Sequence, residues 1–425
     1  MKILAIYRHY WPDTTPYARL LRSILEQLAA DGHDVSVYTS QPSYNDLDHQ
    51  RQPRHEKLGG VDVMRIGLLP ERKRFKLLRA VNFAWFLVRS VVHAVACRRY
   101  GIIIANGHPP VMMGVALRCI KAFTGTHFVL HLQDIHPESA LTAGQLKPGW
   151  LTRRLLKQDI ANCAAAKCIV TLSEDMRATL VDRDGGRLKA ADIRTINNFP
   201  LDVYHRVDES ELPKLLQGDG IEEYRVLFAG NLGHFQKLER LVDAAKLLSD
   251  HKQIRFIFMG AGAVRRALEK QAGALVGRTV FFEPYQPVEV AVECMRRCDL
   301  GVISLAPDVY RVAYPSKTMT YLSAGLPVLG IVERQSNVAA ELADNDFGYL
   351  PNSTSPADIA VAIEQACEHR GRWTDGAREE LIERSETHFG REQAMEAWTC
   401  LLREFDSNDG AAPPEGSAAS QRQAA

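Results

Sequence analysis

"RVLFAGNLGHFQKLERLVDAAKLLSDHKQIRFIFMG", Arg225 to Gly260, is the stretch that decides the fold. A near-continuous apolar run stops at Gly230, a loop follows, and "ERLVDAAKLLSD" repeats its apolar residues at helical spacing. A second apolar run, "IRFIFMG", closes the unit. Strands with no polar alternation are buried on both faces, the condition of a parallel sheet sandwiched by helices. Downstream the cycle continues through "AVRRALEKQAG", "TVFFEP", "VEVAVECMRRC", "LGVISL", "SKTMTYLSAG" and "PVLGIV". Upstream the same alternation runs through "KILAIY", "ARLLRSILEQLAADG", "DVSVYTS", "GIIIAN", "HFVLHL" and "KCIVTLS".

The two series are separated by "INNFPLDVYHRVDESELPKLLQGDGIEE", Ile196 to Glu223, rich in turn formers and charge, which reads as a linker. A chain of 425 residues with 46% hydrophobic content supports two cores. The expected fold class is α/β, with two doubly wound Rossmann-like domains at 1–200 and 201–385 and a C-terminal helix at 386–405 able to cross back to the first domain. The remaining residues, 406–425, are too poor in apolar groups to order themselves.

The net charge of +1 conceals an asymmetry, because residues 1–200 hold 28 Lys and Arg against 17 Asp and Glu. A basic half suits nucleic acid, an anionic membrane surface or a phosphorylated substrate. No zinc-finger spacing, helix-turn-helix pattern or basic repeat interleaved with aromatics supports nucleic acid. The eight cysteines lie mostly within apolar helical patterns and read as reduced core thiols, so no metal site is expected. The N-terminal apolar run is too short for a signal peptide and reads as a first strand, which suits a cytoplasmic compartment.

One segment departs from the alternation. "RKRFKLLRAVNFAWFLVRSVVHAVACRRYG" flanks about 18 apolar residues with basic ones and places Arg89 and His93 inside the run. An arginine near mid-bilayer costs several kcal/mol, about 3 on insertion scales, which disfavours a spanning helix. Two readings stay open. One is an interfacial helix whose basic residues Arg72, Lys73, Arg74, Lys76 and Arg79 meet lipid phosphates. The other is a helix packed on the sheet with a solvated basic edge.

In parallel α/β sheets ligands bind beyond the carboxyl ends of strands, where helix starts attract anions. Three loops follow from this. In "AGNLGHFQK" Gly230 and Gly233 allow close backbone approach and Lys237 can reach an anion. "MGAGAV" lacks the third glycine and the acid of a dinucleotide fingerprint, so no NAD cofactor is expected. In "APDVYRVAYPSKTMTYLSAGLPVL" Pro315 precedes a helix start where Ser316, Lys317 and free N–H groups converge, a geometry suited to diphosphate. The alternative there is a serine-capped helix with an exposed lysine.

Taken in order, "YWPDTTPYAR", "GHDVSVYTSQPSY", "NGHPP", "QDIHPESA", "LSEDM", "AGNLGHFQKLERLVDAA" and "PSKTMTYLSAGLPVL" resemble the retaining GT-B-fold glycosyltransferases, specifically the bacterial O-antigen and capsule branch with its N-acetylfucosaminyl- and fucosyltransferases. The resemblance implies two Rossmann-like lobes facing across a cleft and a nucleotide-diphosphate sugar, UDP- or GDP-linked, bound by the second lobe. It assigns donor contacts to Gly230, Asn231, Lys237, Ser316, Lys317 and Thr320, and to Tyr285 in the turn "EPYQP". Val312 and Thr320 stand where the wider family has an acidic pair, and Asn231 stands where it has an arginine, leaving Lys237 and Lys317 to neutralise the diphosphate.

"FVLHLQDIHPESAL", Phe128 to Leu141, ends a strand in four titratable groups. The expected catalytic residues are Asp134 and Glu138, oriented by His131 or His136, with one carboxylate stabilising an oxocarbenium-like state and another group taking the acceptor proton. Arg19 and Thr15, at the first strand-to-helix junction, and Asn106 in "NGHPP" are the acceptor-side candidates. The implied acceptor is a glycan on polyprenyl diphosphate, which places the enzyme peripherally on the inner membrane face. Two alternatives remain: a nucleotide-sugar 2-epimerase-like isomerase on the same architecture, and a non-catalytic sugar-nucleotide-binding partner.

Overall fold

A computed structural model describes residues 1–13, 16–42, 51–69, 76–97, 99–183, 188–201, 207–218 and 223–409. Thr15, Arg72, Lys73, Arg74 and the tail from residue 410 lie outside the described residues. The first lobe is built on an eight-stranded sheet of β1 (Lys2–Ile6), β2 (Asp34–Ser40), β3 (His55–Leu58), β4 (Val61–Ile66), β5 (Ile102–Asn106), β6 (His127–His131), β7 (Cys168–Thr171) and β8 (Ile193–Thr195). The second has six: β9 (Tyr224–Ala229), β10 (Ile254–Met259), β11 (Val280–Glu283), β12 (Leu300–Ser304), β13 (Val328–Ile331) and β14 (Gly348–Tyr349).

Strand order is β3-β4-β2-β1-β5-β6-β7-β8 in the first sheet and β11-β10-β9-β12-β13-β14 in the second. Every pairing is parallel except β3 with β4, a hairpin turned at Gly59–Gly60 that the repeated strand–helix pattern did not suggest. Its outer strand alternates exposed and half-buried residues, so it lacks the continuous apolar signature of its neighbours. In each lobe the winding reverses once, between β1 and β5 and between β9 and β12. Crevices open beyond the carboxyl ends of strands at such reversals; the lobes meet through the chain that follows β6 and β7 in the first and β12 and β13 in the second.

Three helices, Lys76–Cys97, Met112–Thr124 and Trp150–Ala165, pack side by side in the first lobe. By length and composition Leu77–Cys97 is apolar enough to cross a membrane. One edge of it, Asn82, Phe86, Ser90 and Ala94, is nevertheless built into the lobe. Asn82 also exchanges two hydrogen bonds with the Leu69 backbone at 2.8 and 3.0 Å. The helix therefore lies along the protein.

The C-terminal helix Arg391–Asp409 sets Met395, Trp398, Leu402 and Phe405 against β1, β2 and the helix Pro16–Ala30 of the first lobe. It runs past Phe405, where composition had suggested an end, because extending a formed helix is far easier than starting one. The lobes also touch directly. Ile135 donates its N–H to the Val312 carbonyl at 2.8 Å, beside a bridge between Asp134 and Ala313, and Asn337 donates its N–H to Asp175 at 2.7 Å.

Candidate active site

The floor of the second lobe's crevice is made by the loops after β9 and β10. Gly230 donates to the Met259 carbonyl at 2.8 Å, and a Cβ on Gly260 would sit 1.9 Å from the Gly230 oxygen, so the two backbones touch with no side chain between them. Gly230 itself has φ +128°, a region closed to other residues, and a Cβ there would fall 2.3 Å from Cε of Lys317. The absent side chain is thus the space that Lys317 occupies. Arg265, which sequence reasoning did not single out, ties the β10 and β11 ends together through the carbonyls of Gly260, Phe282 and Glu283 at 2.9 to 3.0 Å.

Lys317 opens the short helix Lys317–Ser323 and lays its ammonium over the Phe228 ring at 4.7 Å. No carboxylate among the described residues pairs with it, and burial pulls its ammonium down from 10.5 to about 8. A desolvated ammonium with no carboxylate beside it is chemically suited to an anion. Ser316 precedes it with an exposed hydroxyl that caps nothing, since the side-chain bond at this helix start is Thr318 Oγ1 to the Pro315 carbonyl, 2.8 Å. The serine-cap alternative therefore does not apply. Thr320 is half-buried on the same helix, and Asn231 is exposed in the β9 loop. Lys237 adopts a left-handed backbone, with its ammonium 3.5 Å from Glu239, and Tyr285 is exposed beyond β11.

Facing this floor is the loop after β6. The bridge from Asp134 to Ala313 brings it against the segment that leads, through Tyr314 and Pro315, into Ser316 and Lys317. Asp134 is exposed at the junction of the lobes, yet the protein around it desolvates its carboxyl and pushes it up to about 6. It forms no hydrogen bond or ion pair with another described residue.

The other three expected catalytic groups are each engaged by other side chains. His131 is sealed in the core: Nδ1 lies 2.6 Å from the Tyr17 hydroxyl, Nε2 lies 2.9 Å from Gln133 Nε2, and the ring stands edge-on to Trp398 at 5.0 Å. Burial drops it to about 3, so it stays a neutral packing and hydrogen-bonding group. Glu138 is committed to Arg183, whose Nη1 reaches both its oxygens at 3.0 and 3.1 Å while Nη2 holds Asp159 at 2.6 Å. His136 bonds Ser139 Oγ at 2.7 Å, and burial lowers it too, partly offset by Glu138. These groups hold the loop in shape and leave Asp134 projecting from it. Proximity in sequence had merged them into one cluster, whereas the loop's turn sends them to separate partners.

On the acceptor side Asn106 accepts from the His108 N–H at 3.3 Å, a turn-forming bond at the β5 end. Arg19 reaches Glu289 of the second lobe at 3.4 Å and lies over Trp11, so it joins the two lobes. Sequence reasoning missed a group that the β1 and β5 ends bring together. His9 Nδ1 lies 2.6 Å from Oδ2 of the buried Asp13, and the His108 ring lies 6.1 Å from His9 and edge-on to Phe83 at 5.1 Å. Burial, then the nearby His9 and Arg8, hold His108 down at about 3. The signal for His9 and Asp13 was their place in "YRHYWPD" immediately after a strand.

Two family models match end to end. The "Glycosyl transferase 4-like domain" covers residues 17–198 and "Glycosyl transferases group 1" covers residues 217–388. The chain is 24% identical over 343 residues to the putative colanic acid biosynthesis glycosyl transferase WcaI of Escherichia coli (strain K12), spanning 76% of this chain and 82% of that protein. It is also 24% identical over 282 residues to the probable glycosyltransferase WbjE of Pseudomonas aeruginosa, spanning 64% and 67% respectively. Among solved structures it superposes on the sucrose-phosphate synthase of Thermosynechococcus elongatus with TM-score 0.72 at 16% identity, covering 96% of this chain and all of that one. On WaaG, a glycosyltransferase involved in lipopolysaccharide biosynthesis, the TM-score is 0.60 at 18% identity, covering 97% of this chain and all of that one. With both Rossmann-like lobes matched in order, the chain is a GT-B-type glycosyltransferase of the group 1 family.

Proposed function

We propose that the chain moves a hexose or deoxy-amino-hexose from a UDP- or GDP-linked donor to an acceptor carried on polyprenyl diphosphate, in surface polysaccharide synthesis and with retention at the anomeric carbon. The observation that carries this reading is an uncommitted ammonium, Lys317, and an uncommitted carboxylate, Asp134, held on opposite lobes that touch at Ile135 and Val312. Cleaving a sugar–diphosphate bond builds positive charge at the anomeric carbon and negative charge on the leaving group. Lys317, the Ser316 hydroxyl and the helix N–H groups receive the diphosphate on the glycine floor. Asp134 faces the anomeric centre or the acceptor hydroxyl, with His9, Asp13 and His108 lining the acceptor side. The names of WcaI and WaaG support the polysaccharide setting. A trehalose-6-phosphate protein from E. coli bound with UDP-2-fluoro glucose, TM-score 0.67 at 13% identity, supports a sugar nucleotide as donor.

The test is to incubate purified protein with UDP-, GDP- and dTDP-sugars, with and without a polyprenyl-diphosphate-linked acceptor, and to follow nucleoside diphosphate release and the product's anomeric configuration. Release that requires acceptor, and a product of unchanged configuration, is expected for one donor. Release with no donor, or conversion of the donor sugar without acceptor, overturns the reading.

A further inference from the structure

The helix Lys76–Cys97 has a second face, opposite the one built into the core. Leu77, Val81, Trp85, Val88 and Val92 follow one another at intervals of four, four, three and four, forming a single stripe. Leu77 is 80% exposed, and the other four lie between 48% and 56%. Soluble surfaces seldom leave so many large apolar side chains contiguous, and such patches mark contact surfaces. The two neighbouring helices also carry exposed large apolar side chains, Phe123, Trp150 and Leu151, exposed by 66%, 71% and 46%.

Charge on this layer is one-sided. The three helices contain eight Lys and Arg and a single acid, Asp159, which is turned inward onto Arg183. Arg89 sets its guanidinium over Trp85 at 5.7 Å, and Arg153, Arg154 and Lys157 are exposed beside Trp150. A second copy of this chain would confront these cations with the same cations, which opposes self-association. An anionic lipid surface presents the complementary charge and a hydrocarbon boundary for the aromatic and aliphatic groups.

The same helix reaches the cleft. Phe83, on its flank, stands edge-on to His108, and Arg8 lies over the Phe83 ring at 4.3 Å. The helix that carries the outer stripe thus also borders His108 and Arg8, on the side where the proposed lipid-linked acceptor would enter. From these observations we infer that the layer of helices Lys76–Cys97, Met112–Thr124 and Trp150–Ala165 is a docking face for an anionic membrane, and that it presents the cleft to a lipid-linked acceptor. This deepens the transfer reading and rests on it for the acceptor.

The experiment is co-sedimentation of the full chain with vesicles of phosphatidylcholine and phosphatidylglycerol at 7:3, and with phosphatidylcholine alone. Expected is binding to the anionic vesicles that weakens with added salt, and at least a tenfold loss of binding in the double variant Val81→Asp with Val88→Asp. Both sites are exposed, so an unchanged unfolding transition and unchanged nucleoside diphosphate release with a water-soluble acceptor are expected beside that loss. A Val81→Leu, Val88→Leu variant should bind as the parent does. Wild-type protein left in the supernatant overturns the inference, as does an aspartate variant that pellets like wild type. So does a wild-type dimer that the aspartates convert to monomer. Vesicle binding without any transfer activity sinks the transfer reading alone, and transfer without vesicle binding sinks the docking face alone.

Discussion

Replacing Lys317 by Met should make the protein more stable and less active at once. The stem of Met retains the packing on Phe228 and removes the charge. In the fold the ammonium is lowered from 10.5 to about 8, and at 1.36 kcal/mol per tenfold this corresponds to about 3 kcal/mol for holding the charge in its buried position. Loss of the cation–π contact returns about 1 kcal/mol of that, leaving a net gain of about 2 kcal/mol. For a lobe of this size that is roughly 4–8 °C in Tm.

The sign has a pH signature. The unfolded lysine binds its proton more tightly than the folded one, so wild-type stability rises as pH climbs from about 8 toward 10.5, and the gap to the Met variant closes over that window. Activity should move the other way, because losing a charge that meets the departing diphosphate in a preorganised site typically lowers kcat by about 10²–10³. Thermal unfolding between pH 7 and 10, with and without nucleoside diphosphate, gives the first readout, and the release assay gives the second. Ligand-induced stabilisation should shrink in the variant, since stabilisation follows affinity by mass action. A Met variant that is less stable than wild type and equally active would refute the reasoning and make Lys317 a packing residue.

Two further substitutions separate reacting from supporting groups. Asp134→Asn should lower kcat by about 10²–10⁴ while leaving KM close to wild type. Wild-type kcat/KM should rise through about pH 6 as Asp134 ionises and fall above about 8 as Lys317 loses its proton, and the variant should lack the acid limb. A profile unchanged by the substitution would move the reacting carboxylate elsewhere. Arg183→Ala, by contrast, leaves Glu138 and Asp159 half-buried without their cation and should cost about 3–5 kcal/mol of stability. Urea unfolding measures it, and a loss under 1 kcal/mol would show that the staple does not hold the loop.

Much of this protein was legible in its sequence because it depends on local physics. Burial on both faces writes itself as unbroken Val, Ile and Leu, so "GIIIAN" and "RVLFAG" were readable as parallel strands. The hairpin Glu56–Val63 escaped because an edge strand leaves no continuous apolar run.

At the site, sequence brought His131, Asp134, His136 and Glu138 together as neighbours along the chain. What surrounds each came from elsewhere in the chain: Trp398 from the far end for His131, Arg183 for Glu138, and for Asp134 the opposing lobe at Ala313. Arg19 likewise needed Glu289, some 270 residues away, to join the lobes. Sequence by itself therefore determined the two-lobed α/β architecture and the chemical kinds at the strand ends, because strand and helix formation respond to neighbours a few residues apart. Only the tertiary structure decided which charges are consumed in pairs and which remain free to react, because electrostatic partnership depends on distance through space, and the chain carries no local record of it.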